Sequence, residues 1–175
     1  MSIWAGVDPG KSGAIAFVDD NLAVLGVHVM PVLPAAATGG KKKGRTEYDL
    51  ATIVRLFTQY QHGGGKPGRL AVALEKGHPL PPKMGGGIAN YERGYARGVF
   101  EGILHALGIP HVLVSPKTWQ KEAHAGTSGD DLKQKSIVAA GRLFPHVDLR
   151  RTERCTVAHD GKAEALLLAR FLRNA

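Results

Sequence analysis

The stretch from Ser2 to Val18 sets the tightest limit on what this chain can fold into. Ser2-Ile3-Trp4-Ala5-Gly6-Val7 reads as an apolar strand that stops at a single carboxylate, Asp8. Pro9-Gly10 and Ser12-Gly13 then mark a tight turn, and Ala14-Ile15-Ala16-Phe17-Val18 is a second apolar strand. A charge at the end of a buried strand is costly unless a metal, a turn N–H or a cation meets it. Asp19-Asp20-Asn21 supplies a hairpin turn into a third run, Leu22 to Met30. The chain is therefore expected to open with three antiparallel strands.

Further along, Leu70-Ala71-Val72-Ala73-Leu74 is apolar without alternation, as expected of a central strand covered on both faces. It also ends in a carboxylate, Glu75. His111-Val112-Leu113-Val114 is the fifth expected strand. Helices are expected over 49–60, where Asp49 is a plausible cap, and over 88–107. In the latter, Ile88, Tyr91, Tyr95, Val99, Ile103 and Leu107 share one side, and Gly94 and Gly98 allow close approach of another backbone. Tyr91, Tyr95 and Val99 read as core or dimer-interface residues. Ser115-Pro116 opens a short helix in which Trp119 reads as packing, and 131–144 forms another. The last helix starts at His159-Asp160-Gly161-Lys162-Ala163-Glu164, and its four-residue spacing puts Asp160 and Glu164 on one face near the positive end. Taken singly, Asp160 could be only an N-cap, and Glu164 only a solvent pair with Lys162 or Arg170.

A mixed sheet that begins with a three-stranded meander can place the first and fourth strands side by side. Their ends would then bring Asp8 and Glu75 together, with the last helix across them. Converging carboxylates repel unless something positive lies between them. Magnesium prefers such oxygen ligands, and two ions about 3.5–4 Å apart can drive phosphodiester hydrolysis. The histidines show no paired spacing that suits zinc.

The length, 175 residues, fits one domain spanning 1–175, and 35–47 is expected to be a flexible basic loop within it. No apolar run is long enough to span a bilayer, and no basic region followed by an apolar core opens the chain. The lone Cys155 excludes a disulfide framework within the chain. A reducing cytoplasm, bacterial or of a phage-infected cell, is the expected location. The formal charge of +8 favours a polyanionic partner. The candidates to grip DNA are Lys41, Lys42, Lys43 and Arg45 in the loop, then Lys117, Lys133 and Lys135, and further basic residues stand at Lys121 and at Arg150-Arg151 and Arg154.

The ordered set Gly6-Val7-Asp8-Pro9-Gly10, Ala73-Leu74-Glu75-Lys76, Gly94-Tyr95-Ala96-Arg97-Gly98, Ser115-Pro116-Lys117-Thr118-Trp119-Gln120-Lys121 and Asp160-Gly161-Lys162-Ala163-Glu164-Ala165-Leu166 spans nearly the whole chain. It resembles the RuvC-like Holliday junction resolvases of bacteriophages and prophages, in the ribonuclease H-like superfamily. The resemblance implies an α/β fold with a mixed five-stranded sheet flanked by helices. It implies a homodimer that cuts four-way DNA junctions with paired symmetric nicks, using two magnesium ions per site, for which manganese can substitute. No small-molecule cofactor and no membrane enter this picture. On these residues the metal ligands are Asp8, Glu75, Asp160 and Glu164, and Lys121, or Lys117 in competition with it, stabilises charge at the scissile phosphate. Many members space the last two acids by three, which here selects Gly161; Asp160 or His159 then fills that place. The loop after Glu75 offers His78, Leu80 and Met84 as a junction wedge. Rival readings are a ribonuclease H-like nuclease for other branched DNA or RNA–DNA hybrids, and a non-catalytic DNA-binding module. The Asp8 turn also resembles the phosphate loop of actin-like kinases, but those folds need a second such loop that this length does not accommodate.

Overall fold

The computed structural model describes residues 1–35, 46–62, 69–81, 83, 86–128 and 131–175. Strands β1 (Ser2–Asp8), β2 (Ala14–Asp19) and β3 (Val24–Val29) form the expected antiparallel meander. The turn between β2 and β3 is held by the Asp19 carboxylate, which accepts from the N–H groups of Asn21 and Ala23 at 2.8 and 2.9 Å. Two short strands follow, β4 (Val32–Pro34) and β5 (Thr46–Tyr48), paired with each other in a separate two-stranded sheet. The segment read as loop, 35–47, is thus preceded by one strand and overlaps the other at Thr46 and Glu47, and its residues 36–45 lie outside the described ones; three-residue strands are too short to show a period.

Helix α1 (Leu50–Gln61) starts at Asp49, whose side chain accepts from Thr52 N at 3.0 Å. It leads into β6 (Arg69–Glu75), which lies parallel to β1. Helix α2 (Gly87–Ala106) then crosses to β7 (His111–Val114), parallel to β6. The sheet order is β3-β2-β1-β6-β7, so the expected ribonuclease H-like mixed sheet is the one found. Helices α3 (Pro116–Ala123), α4 (Leu132–Leu143) and α5 (Asp160–Asn174) complete the described chain. No helix among the described residues is long and apolar enough to cross a membrane.

Strand alternation sorts the side chains between two layers. Ile3, Ala5 and Val7 of β1, with Leu70, Val72 and Leu74 of β6, join the core that contains Phe57 and Phe100 of α1 and α2. Ala14, Ala16 and Ala73 join the core built from α3, α4 and α5. By the same parity Asp8 and Glu75 turn toward the α5 side. Gly6 permits the closest approach there: a Cβ on it would fall on the Ala165 carbonyl and 2.5 Å from Ala169 N. Helix α5 accordingly buries Ala163, Ala165, Leu166, Leu167, Leu168 and Ala169.

The stripe read on α2 is shifted. Ala96, Phe100 and Leu104 are its buried residues, and Val99, Ile103 and Leu107 pack partly against the core. Ile88, Tyr91 and Tyr95 are exposed, and a Cβ on Gly94 or Gly98 would meet open space. The larger apolar side chains lie on both sides of α2, so their spacing alone picked the wrong centre.

Candidate active site

The registers carry both strand-end acids to one place. Val7 is opposite Leu74, so Asp8 and Glu75 are the next residues on adjacent parallel strands. The first two turns of α5 bring Asp160 and Glu164 against the same end. Glycines make this approach possible. A Cβ on Gly161 would lie 2.8 Å from Gly13 Cα, and one on Gly13 would lie 2.6 Å from Asp8 Cγ. An acid at position 161 would therefore drive α5 off the β1–β2 turn, and the chain carries its acid at Asp160 instead. His159 is the N-cap of α5, its Nδ1 accepting from Lys162 N at 3.2 Å.

Neither bland alternative for the helix acids is seen. The cap is His159, not Asp160. Arg170 pairs with Glu122 at 2.9 Å, and the Lys162 ammonium donates to the carbonyls of Asp148 and Arg150.

The electrostatics tie the acids into one group. Burial first, then the neighbouring Asp160 charge, push Asp8 up to about 6, against the Gly10 N–H that donates to it at 3.2 Å. Burial and Asp8 push Glu75 up to about 7, although the Trp119 indole N–H donates to its Oε2 at 3.0 Å. Burial, followed by Asp8, Glu75 and Asp160, pushes Glu164 up to about 8. Burial works in the same sense on Asp160, but the Lys133 ammonium 2.5 Å away and the Gly161 N–H together outweigh it and hold this acid below its usual range. One acid is thus paired and three are frustrated.

Among the described residues, no three His, Cys, Asp or Glu side chains stand close enough to form a metal-holding group. Each acid is instead turned to a protein donor: Gly10 for Asp8, Trp119 for Glu75, Lys133 for Asp160 and Ser136 for Glu164. The donor chemistry nevertheless fits a hard divalent cation, since all four side chains offer carboxylate oxygens and three are raised by burial and mutual charge.

Among the described basic residues read as DNA contacts, Lys133, expected only to grip the DNA, is the one that touches an acid of the site, and Lys121 and Lys117, expected at the scissile phosphate, do not. Lys121 and Lys117 are exposed on α3, and Lys135 is half-buried on α4. Lys41, Lys42, Lys43 and Arg45 lie outside the described residues, as does Met84 of the wedge loop. His78 is exposed, its Nε2 3.4 Å from Ser115 Oγ, and Leu80 is held through its backbone by the Asn90 side chain.

A cleft of about 720 Å³ opens over Asp8 and Glu75 and is also lined by Lys11, Glu92, Arg93 and Arg151. Lys11 pairs with Glu92 at 2.7 Å and lies over the Tyr48 ring. The Tyr48 hydroxyl donates to Pro9 O at 2.6 Å, tying β5 to the turn after Asp8. Lys11 and Arg93 went unread in the sequence, although Lys11 directly follows the Asp8-Pro9-Gly10 turn.

The chain matches no protein-family model and no curated protein sequence. Among solved structures it is similar to RuvC of T. thermophilus in complex with a Holliday junction substrate. The two are 19% identical, with a TM-score of 0.60, over 97% of this chain and 90% of that one. The likeness is one of fold. A second Thermus thermophilus RuvC structure is 20% identical over 98% of this chain and 96% of that one, with a TM-score of 0.49.

Proposed function

We propose that this chain is a single-domain, metal-dependent endonuclease that resolves four-way DNA junctions with paired symmetric nicks, working in the cytoplasm as a homodimer. The observation that carries the reading is the gathering of Asp8, Glu75, Asp160 and Glu164 at one sheet end of a chain with a formal charge of +8. Buried carboxylates that raise one another weaken a fold and call for a ligand of opposite charge. The fold shared with a junction-bound RuvC supports the choice of substrate.

In this reading Asp8, Glu75, Asp160 and Glu164 hold two magnesium ions, or manganese in their place. Once bound, these supply Lewis acidity and activate water for attack on phosphorus. Asp8 and Glu75 fix the site to the rigid sheet, and Asp160 and Glu164 close it from α5. Lys133 offsets the charge of Asp160 and is placed to meet a phosphate that enters the site. It takes the role that the resemblance gave to Lys121. Lys11, Arg93 and Arg151 line the path of the backbone through the cleft, and Lys117, Lys135 and the basic loop extend that grip along the arms.

The test is cleavage of a synthetic four-way junction in magnesium, beside duplex, flap and RNA–DNA hybrid controls, with Asp8→Asn and Glu164→Gln in parallel. Paired nicks in the junction are expected. Each substitution should lower the rate by about 100-fold or more while junction binding persists. Preferred cutting of a control would keep the nuclease and discard the junction. Tight binding without cutting in either metal would leave a DNA-binding module.

A further inference from the structure

Behind the acids, α3, its C-terminal cap and α4 present buried polar atoms that reach toward the carboxylates. Trp119 is fully buried, and a buried indole needs a partner for its N–H. That partner is Glu75 Oε2 at 3.0 Å. Ser136 is also fully enclosed, and its hydroxyl stands 3.4 Å from Glu164 Oε1 and 3.1 Å from Leu132 O. His124 Nε2 lies 3.0 Å from the same hydroxyl. A hydroxyl has one proton to give. With His124 donating to it, that proton is free for Glu164 or the helix carbonyl. The Trp119 and His124 rings pack in a T-shaped pair, with ring centroids 5.8 Å apart at 77°. Glu75 and Glu164, on different elements, are thus backed by one packed unit, Trp119–His124–Ser136.

We propose that Trp119 and Ser136, with His124 behind Ser136, are positioning residues for the ion-holding acids. They fix one oxygen of Glu75 and one of Glu164 and leave the second oxygen of each for the ion. This rests on the four acids being a divalent-cation site. A tryptophan and a serine that served packing alone would be exchangeable for phenylalanine and alanine without any effect on ion binding. Donors behind ligands of this kind are worth about 10–100-fold in metal affinity.

The experiment titrates manganese into the full chain without DNA, following loss of the free-ion paramagnetic resonance signal at fixed pH. It compares the wild type with Glu164→Gln, Ser136→Ala, Trp119→Phe, His124→Ala and His124→Gln, each checked for folding by circular dichroism. The wild type should bind, Glu164→Gln should bind poorly, and Ser136→Ala and Trp119→Phe should bind about 10-fold more weakly or worse. His124→Gln, which keeps an N–H donor, should bind more tightly than His124→Ala. In junction cleavage the same variants should lose kcat with KM little changed. Should Trp119→Phe not fold, Ser136→Ala and the His124 pair decide. Wild-type manganese affinity in folded Ser136→Ala and Trp119→Phe would overturn the positioning role and leave the ion site standing. A wild type that binds no better than Glu164→Gln would overturn both.

Discussion

Toward α1 and α2 the sheet presents Val7, Ile15, Phe17, Val72 and Leu74, which meet Phe57, Phe100 and Tyr60. Toward α5 the same strands present Gly6, Ala14, Ala16 and Ala73. The first face is filled by large side chains, with Phe17 stacked on Tyr60 at a centroid distance of 3.7 Å. The second carries Trp4 at one end of β1 but no side chain at Gly6, where α5 lies directly on strand backbone. That difference decides where α5 can come close to the strand ends. Short carboxylates on strand ends and on a helix feel one another's charge only where the two backbones come close, as Asp8, Glu75 and Glu164 do on the thin face. The thick face tolerates adjustment because its contacts are between side chains.

The sharpest way to break this contrast is to thicken the thin face. Gly6→Ala puts a methyl onto the Ala165 carbonyl and beside Ala169 N, which are backbone atoms that cannot rotate away. It should cost about 3 kcal/mol or more. Any folded protein should also lose cleavage by about 100-fold, because α5 carries Asp160 and Glu164 away from the strand acids. Phe57→Leu on the thick face should cost only about 1–2 kcal/mol and leave cleavage intact. Urea unfolding with junction assays on both variants checks this. Equal losses from both would mean that the approach of α5 does not govern the site.

How far this was legible follows the range of the interactions. Asp8 and Glu75 stood out because each ends an apolar run, whereas their shared face follows from the parallel register of β1 and β6. Asp160 and Glu164 were legible from helical spacing. The reason that position 161 is glycine and carries no acid was not, because it depends on Gly13, distant in sequence, lying against Gly161. The prominence of Lys133 over Lys121 was hidden for the same reason: it depends on how α3 and α4 pack against α5. Trp119 was read as packing, and its ring is indeed core. Its N–H had no visible partner until β7 and α3 placed it beside Glu75.

The thin face also has an energetic signature, smaller and of opposite sign. Glu164 rises from 4.5 to about 8 in the fold, Glu75 from 4.5 to about 7 and Asp8 from 3.8 to about 6, mainly through burial. A raised folded-state value means that the folded chain holds more protons than the unfolded one. Stability is therefore greatest below the unfolded values and falls as pH rises toward about 8. Without divalent ions, Glu164→Gln should stabilise the protein at pH about 8 by on the order of 1–2 kcal/mol and have no effect near pH about 4. Magnesium at the higher pH should raise the melting temperature of the wild type more than that of the variant. Calorimetry at the two pH values, with and without magnesium, measures both. A variant less stable than the wild type at pH about 8 would mean that Glu164 is satisfied as an anion and needs no cation.

The smallest expected effect separates the cleft cations by whether the fold already uses them. Lys11 is committed to Glu92 at 2.7 Å, so part of its charge is spent before DNA arrives. Arg93 lines the same cleft, exposed on α2, and has no ion-pair partner among the described residues. A phosphate contact by Arg93 displaces counterions in full, whereas one by Lys11 must first loosen Glu92. Arg93→Gln should therefore weaken junction binding several-fold and reduce the slope of log affinity against log salt by about 1. Lys11→Gln should shift both by less, because the substitution also frees an acid that DNA must then face. Fluorescence anisotropy on a labelled junction across a salt series, without divalent ions, resolves the two. If Lys11→Gln proves the more damaging, the pair with Glu92 opens on binding, and the turn after Asp8 grips the backbone more strongly than α2 does.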